Sequence, residues 1–227
     1  MILILTGNFT DKDAEIVIQD FQDRENGNLI PKRINKIEKG NPRKEAIIKR
    51  SGITQAYLSF GLRTAPAKNI DTPSLDLIEA LLGIGESSRL FVELREKRAL
   101  TYDFESTNIS GLDYGYFSIN VAVRTKSLSK TQTLIQDELQ KIKTHQVTKN
   151  ELDKTKNLMI GNIFRTIDDS EELPKILACE EIHFENGNSL LDYKNKIISM
   201  REQDLIEVAS RYFQDENYST AILTPEK

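Results

Sequence analysis

Apolar positions recur along this chain with two different periods, and the change from one to the other divides it into short strands and longer helices. A run from Ile2 to Leu5 ends at Gly7 and reads as a strand. Thr10 with Asp13 supplies an N-cap pattern for a helix that carries Ala14, Val17, Ile18 and Phe21 at helical spacing. From Gln22 to Arg43 the period is lost while Asn26, Gly27, Asn28, Pro31, Gly40 and Pro42 accumulate, which predicts a long solvated connection. Two strands follow, Glu45 to Lys49 and Ile53 to Leu62. In the second, Ala56, Leu58, Phe60 and Leu62 alternate with Tyr57, Ser59 and Gly61, the pattern of a well-buried strand. Thr72-Pro73 predicts a helix start, with a capping hydroxyl and then a proline where the missing N–H costs nothing. Leu75, Leu77, Ile78, Leu81 and Leu82 cover most of that helix's circumference, so it should be central.

After a turn at Gly83-Ile-Gly-Glu86, a helix from Ser87 to Arg98 places Leu90, Phe91 and Leu94 in one narrow arc, with Arg95 at its edge. Leu100, Tyr102, Phe104 and Ser106 share one face of the next strand, and that face is read as the buried one. Gly111-Leu-Asp-Tyr-Gly115 makes a hairpin into a strand with Phe117, Ile119, Val121 and Val123 on one side. Ser129-x-x-Gln132, Thr148-x-x-Glu151 and Ser199-x-x-Glu202 match the capping-box pattern and are read as three helix starts. Ser170 to Phe184 should form a further helix, and Tyr218 to Leu223 a closing strand. Hairpin-joined strands followed by grouped helices predict an α+β fold: a mainly antiparallel sheet with helices packed on one face.

Composition narrows the function. At 227 residues the chain fits one large domain or two small ones and should bury roughly 70% of its unfolded surface. No stretch approaches the roughly 20 apolar residues of a membrane helix, and Met1 to Leu5 lacks the basic start and length of a secretory signal. Lys and Arg are dispersed and the net charge is -4, so nucleic acid is not an expected partner. The single Cys179 excludes an internal disulfide. That fits a reducing compartment, with the cytoplasm the expected one, without excluding export.

Metal chemistry needs clustered ligands, and the chain has only His145 and His183, in neither the His-Glu-x-x-His nor the His-x-x-Glu-His order. Glu180-Glu-Ile-His183-Phe-Glu185 is the richest acidic and imidazole cluster, and a solvated helix face accounts for it. Cys179 has no evident histidine partner and reads as a small buried hydrophobe. Ser87-Ser88, after Gly83 and Gly85, fits neither a phosphate loop nor a nucleophile elbow and is read as helix capping.

The segment Gly83-Ile-Gly-Glu-Ser-Ser-Arg-Leu-Phe-Val-Glu-Leu-Arg-Glu-Lys-Arg-Ala-Leu-Thr-Tyr102 closely resembles the second-half signature of the M16 zinc metallopeptidases, the family of insulinase, pitrilysin and mitochondrial processing peptidase. Its parts are a Gly-rich turn, Ser-Arg-Leu-Phe, Leu-Arg-Glu-Lys and Gly-Leu-x-Tyr, with Ala99 here in place of the usual glycine. The resemblance runs from Ile2-Leu-Ile-Leu-Thr-Gly-Asn-Phe through Gln55-Ala-Tyr-Leu-Ser-Phe-Gly to the closing strand. It implies the LuxS/MPP-like metallohydrolase half-fold and a single C-terminal, non-zinc-binding domain over 1–227, either a fragment or a subunit of a larger two-half peptidase.

In that family an arginine and a tyrosine of this segment face the zinc site across a cleft, and the matching residues here are Arg95 and Tyr102. The resemblance implies that the phenol helps to polarise the scissile carbonyl and the guanidinium holds substrate backbone. It implies no metal in this chain; zinc is expected in a partner half that bears His-x-x-Glu-His, with a peptide enclosed between the two. On spacing alone Tyr102 could be simply packed, and Arg95 could pair with Glu93 or Glu96. Two other functions stay open: a structural or assembly protein of the same fold with no peptidase role, and an independent metalloenzyme using His145 and His183.

Overall fold

A computed structural model describes residues 2–22, 44–144, 147–184 and 189–226 of the chain. The predicted connection lies outside the described residues from 23 to 43, as do His145 and Glu185.

The first helix, α1 (Asp11–Gln22), starts as its sequence predicts. Asp13 N–H donates to Thr10 Oγ1 at 3.3 Å, and Asp13 Oδ2 accepts from Thr10 N–H at 2.9 Å. Ile2 to Leu5, however, is no strand: it pairs with no described strand, and Ile2, Leu3 and Leu5 are each about two-fifths exposed. An apolar run becomes a strand only where a neighbour takes up its backbone groups, and among the described residues no strand pairs with it.

Five strands form one sheet: β1 (Lys44–Arg50), β2 (Ala56–Arg63), β3 (Asp103–Ser110), β4 (Gly115–Val123) and β5 (Ser219–Pro225), in the order β1-β5-β2-β4-β3. Three pairings are antiparallel, and β1 with β5 is parallel. The sheet is therefore mainly antiparallel, as predicted. The register sets one row of side chains across it, Ile48, Leu223, Tyr57, Ala122 and Asp103, and beside it a second of Ala46, Ala221, Ser59, Asn120 and Glu105. These rows lie on the bare face. The opposite face carries Leu58, Phe60, Leu62, Phe117, Ile119 and Val121, all buried beneath helices.

The helices are α2 (Thr72–Gly83), α3 (Leu128–Lys143), α4 (Lys149–Asp168), α5 (Glu172–Phe184), α6 (Ser189–Ser199) and α7 (Glu202–Tyr212). α2 is the central one, with Leu75, Leu77, Ile78, Leu81 and Leu82 buried. Its start differs in detail from the expectation, because the Thr72 hydroxyl donates to the Pro66 carbonyl at 3.0 Å and caps nothing. Of the three predicted capping boxes, only Thr148 caps its helix, accepting from Glu151 N–H at 3.3 Å, and the box is not closed because the Glu151 carboxylate is taken by Arg89. α3 begins before Ser129, at Leu128, so that Thr131 and Ile135 meet the core. Ser199 ends α6, a helix the periodicity did not single out, and the N–H of Arg201 at the head of α7 is taken by Asp204 at 2.7 Å. Cys179 is exposed on α5, so it is not the buried hydrophobe expected of it.

α2 lies close against β3. A Cβ on Gly83 would stand 1.9 Å from Ser106 Oγ, which itself donates to the Glu79 carbonyl at 3.1 Å. In the same seam Asp76 accepts from Asn108 Nδ2 and from the Tyr193 hydroxyl, each at 2.7 Å, which ties α6 to α2 and β3. Burial raises the Asp76 carboxyl against the lowering effect of those two bonds. Burial also pushes Glu79 up to about 7, helped by the charges of Asp76 and Glu105.

Two outcomes follow from this packing. Leu90→Ala, at a fully buried position, should cost about 2–5 kcal/mol in chemical denaturation, whereas Phe104→Ala, only half-buried, should cost less. The raised Glu79 carboxyl means that the fold binds a proton the unfolded chain releases. Its contribution to stability is then present below the ordinary value of 4.5 and lost as pH rises to about 7. Glu79→Gln should flatten that decline, as measured by melting temperature across the range.

Candidate functional site

The signature segment forms one corner at the end of the sheet. It leaves α2 through Gly85, whose φ of +83° is the left-handed conformation glycine permits. Ser88 Oγ then donates to the Gly85 carbonyl at 2.7 Å, so this serine braces the turn. The following helix winds as a π-helix over Phe91–Glu96, with Leu90 and Leu94 fully buried beneath it. Its wider winding shows in the bond from Lys97 N–H to the Val92 carbonyl, 2.9 Å and five residues back.

Arg89 anchors this helix to two others. Its Nε and Nη2 donate to both carboxylate oxygens of Glu151 at 2.6 and 2.8 Å, and its Nη1 lies 3.7 Å from Glu138 Oε2. A forked guanidinium is suited to such a pairing, and here it joins the signature to α3 and α4. The arginine of Ser-Arg-Leu-Phe is thus a structural clamp, which spacing along the chain could not reveal.

The helix ends abruptly. Ala99 takes φ +47°, and this left-handed residue lets Leu100 N–H reach the Leu94 carbonyl at 2.8 Å while Ala99 N–H bonds Arg95 at 3.0 Å. Beyond it Thr101 is buried, its hydroxyl donating to the Ala122 carbonyl at 2.6 Å and accepting from Asp103 N–H at 3.0 Å. That anchor turns Tyr102 outward before β3 begins. Tyr102 is 80% exposed, which overturns the expectation that its face is the buried one. The alternation of the strand does not extend back across the left-handed corner.

Arg95, also exposed, lies beside Tyr102. The guanidinium carbon stands 5.7 Å from the Tyr102 ring centroid and 4.9 Å from that of Phe91. Phe91 in turn meets Phe104 edge-on at 6.4 Å, which supports the stack from below. Arg95 does not pair with Glu93, whose carboxylate is taken by Lys97 at 2.6 Å and by Arg98. The corner therefore presents a guanidinium and a phenol side by side to solvent. Asp103 follows Tyr102 and opens onto a trough of about 380 Å³ on the bare face of the sheet.

The other candidates are not brought to this corner. His183 lies half-buried on α5 against Phe184, and burial raises the Glu180 carboxyl beside it. Among the described residues no three His, Cys, Asp or Glu side chains are grouped to hold a metal ion. No described helix is long and apolar enough to cross a membrane.

A helix-backed sheet that ends in this corner defines one half of a zinc-metallopeptidase architecture. The chain belongs to the M16 peptidases: residues 1–159 match the peptidase M16 inactive domain. It is 26% identical to zinc protease PqqE of Helicobacter pylori over 231 residues, which cover 99% of this chain and 51% of that protein. It is 24% identical over 187 residues to a Bacillus subtilis protein named probable inactive metalloprotease YmfF. The chain thus spans about half the length of these relatives. Its fold is that of a solved Helicobacter pylori protease, with TM-score 0.84 at 24% identity over 96% of this chain and 53% of the other. A solved peptidase M16 inactive domain from Pseudomonas fluorescens gives 0.85 at 20% identity, covering 96% and 52%.

Ala99 gives a direct check on the corner. An alanine in the left-handed region costs about 1–2 kcal/mol that glycine does not. Ala99→Gly should therefore raise stability by about 1 kcal/mol in urea denaturation, and Ala99→Val should lower it.

Proposed function

We propose that this chain, acting as one C-terminal unit over 1–227, is the non-catalytic half of a zinc-dependent M16 peptidase and supplies Arg95 and Tyr102 to a composite active site. The zinc belongs to a His-x-x-Glu-His half, in the same polypeptide or a separate subunit, because this chain's described residues do not fit a metal. Zinc bound there supplies the Lewis acidity and activated water of peptide hydrolysis. This chain's part is to hold the substrate and to receive charge. The Tyr102 O–H donates a hydrogen bond to the carbonyl oxygen as negative charge develops on it. The Arg95 guanidinium binds substrate backbone carbonyls and adds positive potential at the same place.

The observation that carries this reading is the exposed pair itself. Tyr102 is turned outward by a buried threonine anchor and set 5.7 Å from Arg95, although both belong to a segment otherwise tied down by buried leucines and an ion pair. A packing role would leave neither side chain facing solvent. A second reading, a structural or assembly protein of the same fold, is favoured by the relative named as a probable inactive metalloprotease. Hydrolysis separates the two, since an assembly role predicts none in any complex.

In the chain reconstituted with its zinc-bearing half, Tyr102→Phe should lower turnover of a quenched fluorescent peptide by about 10²-fold, the scale of losing one oxyanion donor. Unchanged turnover would remove Tyr102 from the chemistry.

A further inference from the structure

The bare face of the sheet begins where the proposed site ends. Its trough of about 380 Å³ has a floor of small side chains, Ser59, Ala122 and Ala221, with Ser59 Oγ donating to Asn120 Oδ1 at 2.7 Å. One end is apolar: Ile48, Leu223 and Tyr57 stand in adjacent register, with Tyr57 46% and Ile48 61% exposed. The other end is acidic. Asp103 and Glu105 sit side by side on the same face of β3, both exposed, with no salt bridge to a described residue. Three strand cations share the face: Lys44 and Arg50 lie on β1, about 19 Å away across four strand spacings, and Arg63 lies on β2, roughly 13 Å along the strand from Ser59, all beyond the roughly 8 Å over which salt lets exposed charges interact. Arg98, near the corner, is taken by Glu93.

We propose that this trough is the side-chain subsite of the composite site and that it takes a lysine or arginine of the peptide. The inference rests on the reading of Arg95 and Tyr102 as substrate-facing. A long cationic side chain fits both ends of the trough at once. Its methylene stem lies over Ala122, Ala221 and the Tyr57 ring, and its charged head meets the carboxylates of Asp103 and Glu105. A purely apolar side chain would leave those carboxylates without a counter-charge, and an acidic one would be repelled. Arg95 then holds the backbone at the corner, while the neighbouring side chain passes over the end of β3 into the trough.

The test uses two short synthetic peptides that differ only in lysine against norleucine at one position. In the reconstituted assembly the ratio of their kcat/KM values should favour lysine, and the double variant Asp103→Asn with Glu105→Gln should lower that ratio about tenfold. The full chain by itself should bind the lysine peptide in preference by fluorescence anisotropy. That preference should weaken with added salt, and Ala221→Phe, at an exposed position, should abolish it by filling the trough while circular dichroism stays unchanged. A ratio untouched by the double variant, or a preference for norleucine, overturns the subsite. If the assembly cuts neither peptide the composite-site reading fails instead, and the anisotropy preference, present or absent, still decides the subsite.

Discussion

The site depends on one helix ending. A single bond from Leu100 N–H to the Leu94 carbonyl, 2.8 Å long and reachable only because Ala99 is left-handed, stops the π-helical winding and reverses the chain into β3. Everything that faces solvent at the corner follows from it. Arg95 sits in the last winding before the stop and Tyr102 in the first extended residues after it, so neighbours in space are separated by a turn whose geometry leaves little freedom. The chain accepts an alanine where the family's pattern has glycine, and with it a local strain in a place that the surrounding packing over-determines.

That over-determination comes from beneath. Leu90 and Leu94 are fully buried, and the bidentate Arg89–Glu151 pair fixes the same helix from the side. A half-buried ion pair of this kind is weak evidence for net stability, because desolvation offsets much of its attraction, yet breaking it would leave a charge uncompensated. Its value here is positional: it sets the axis of a short helix against α3 and α4. The Asp76–Tyr193–Asn108 seam does the equivalent on the other flank, where α2 and α6 meet β3. The surface pair is thus exposed on a framework that is tied down on both flanks.

Much of this was legible in the chain itself, and the failures share a cause. The alternation in β2 and β4 gave their buried faces residue by residue, and the α+β class followed from element order. The Ser129 and Ser199 capping boxes failed because serine three residues before a carboxylate or amide recurs by chance, whereas the start of α3 is set by bringing Thr131 and Ile135 to the core. Tyr102 was assigned to the wrong face because period-two alternation holds only within one strand, and the phase is reset at Ala99. The clamp by Arg89 was hidden because Glu138 and Glu151 lie far along the chain. The identity of Arg95 and Tyr102 as candidates came from the resemblance and not from spacing, which alone favoured packing for Tyr102 and a local ion pair for Arg95.

The proposed role turns on direction: a guanidinium and a phenol, held outward at a helix-to-strand corner, are proposed to meet a metal centre carried by another half. The most direct measurement is a crystal structure of the chain assembled with its zinc-bearing half and a non-cleavable peptide analogue. The account predicts the Tyr102 hydroxyl within hydrogen-bond reach of the analogue's carbonyl oxygen, with Arg95 on the adjoining backbone. A complex in which the corner faces bulk solvent, or is covered by protein with no substrate beside it, would contradict it.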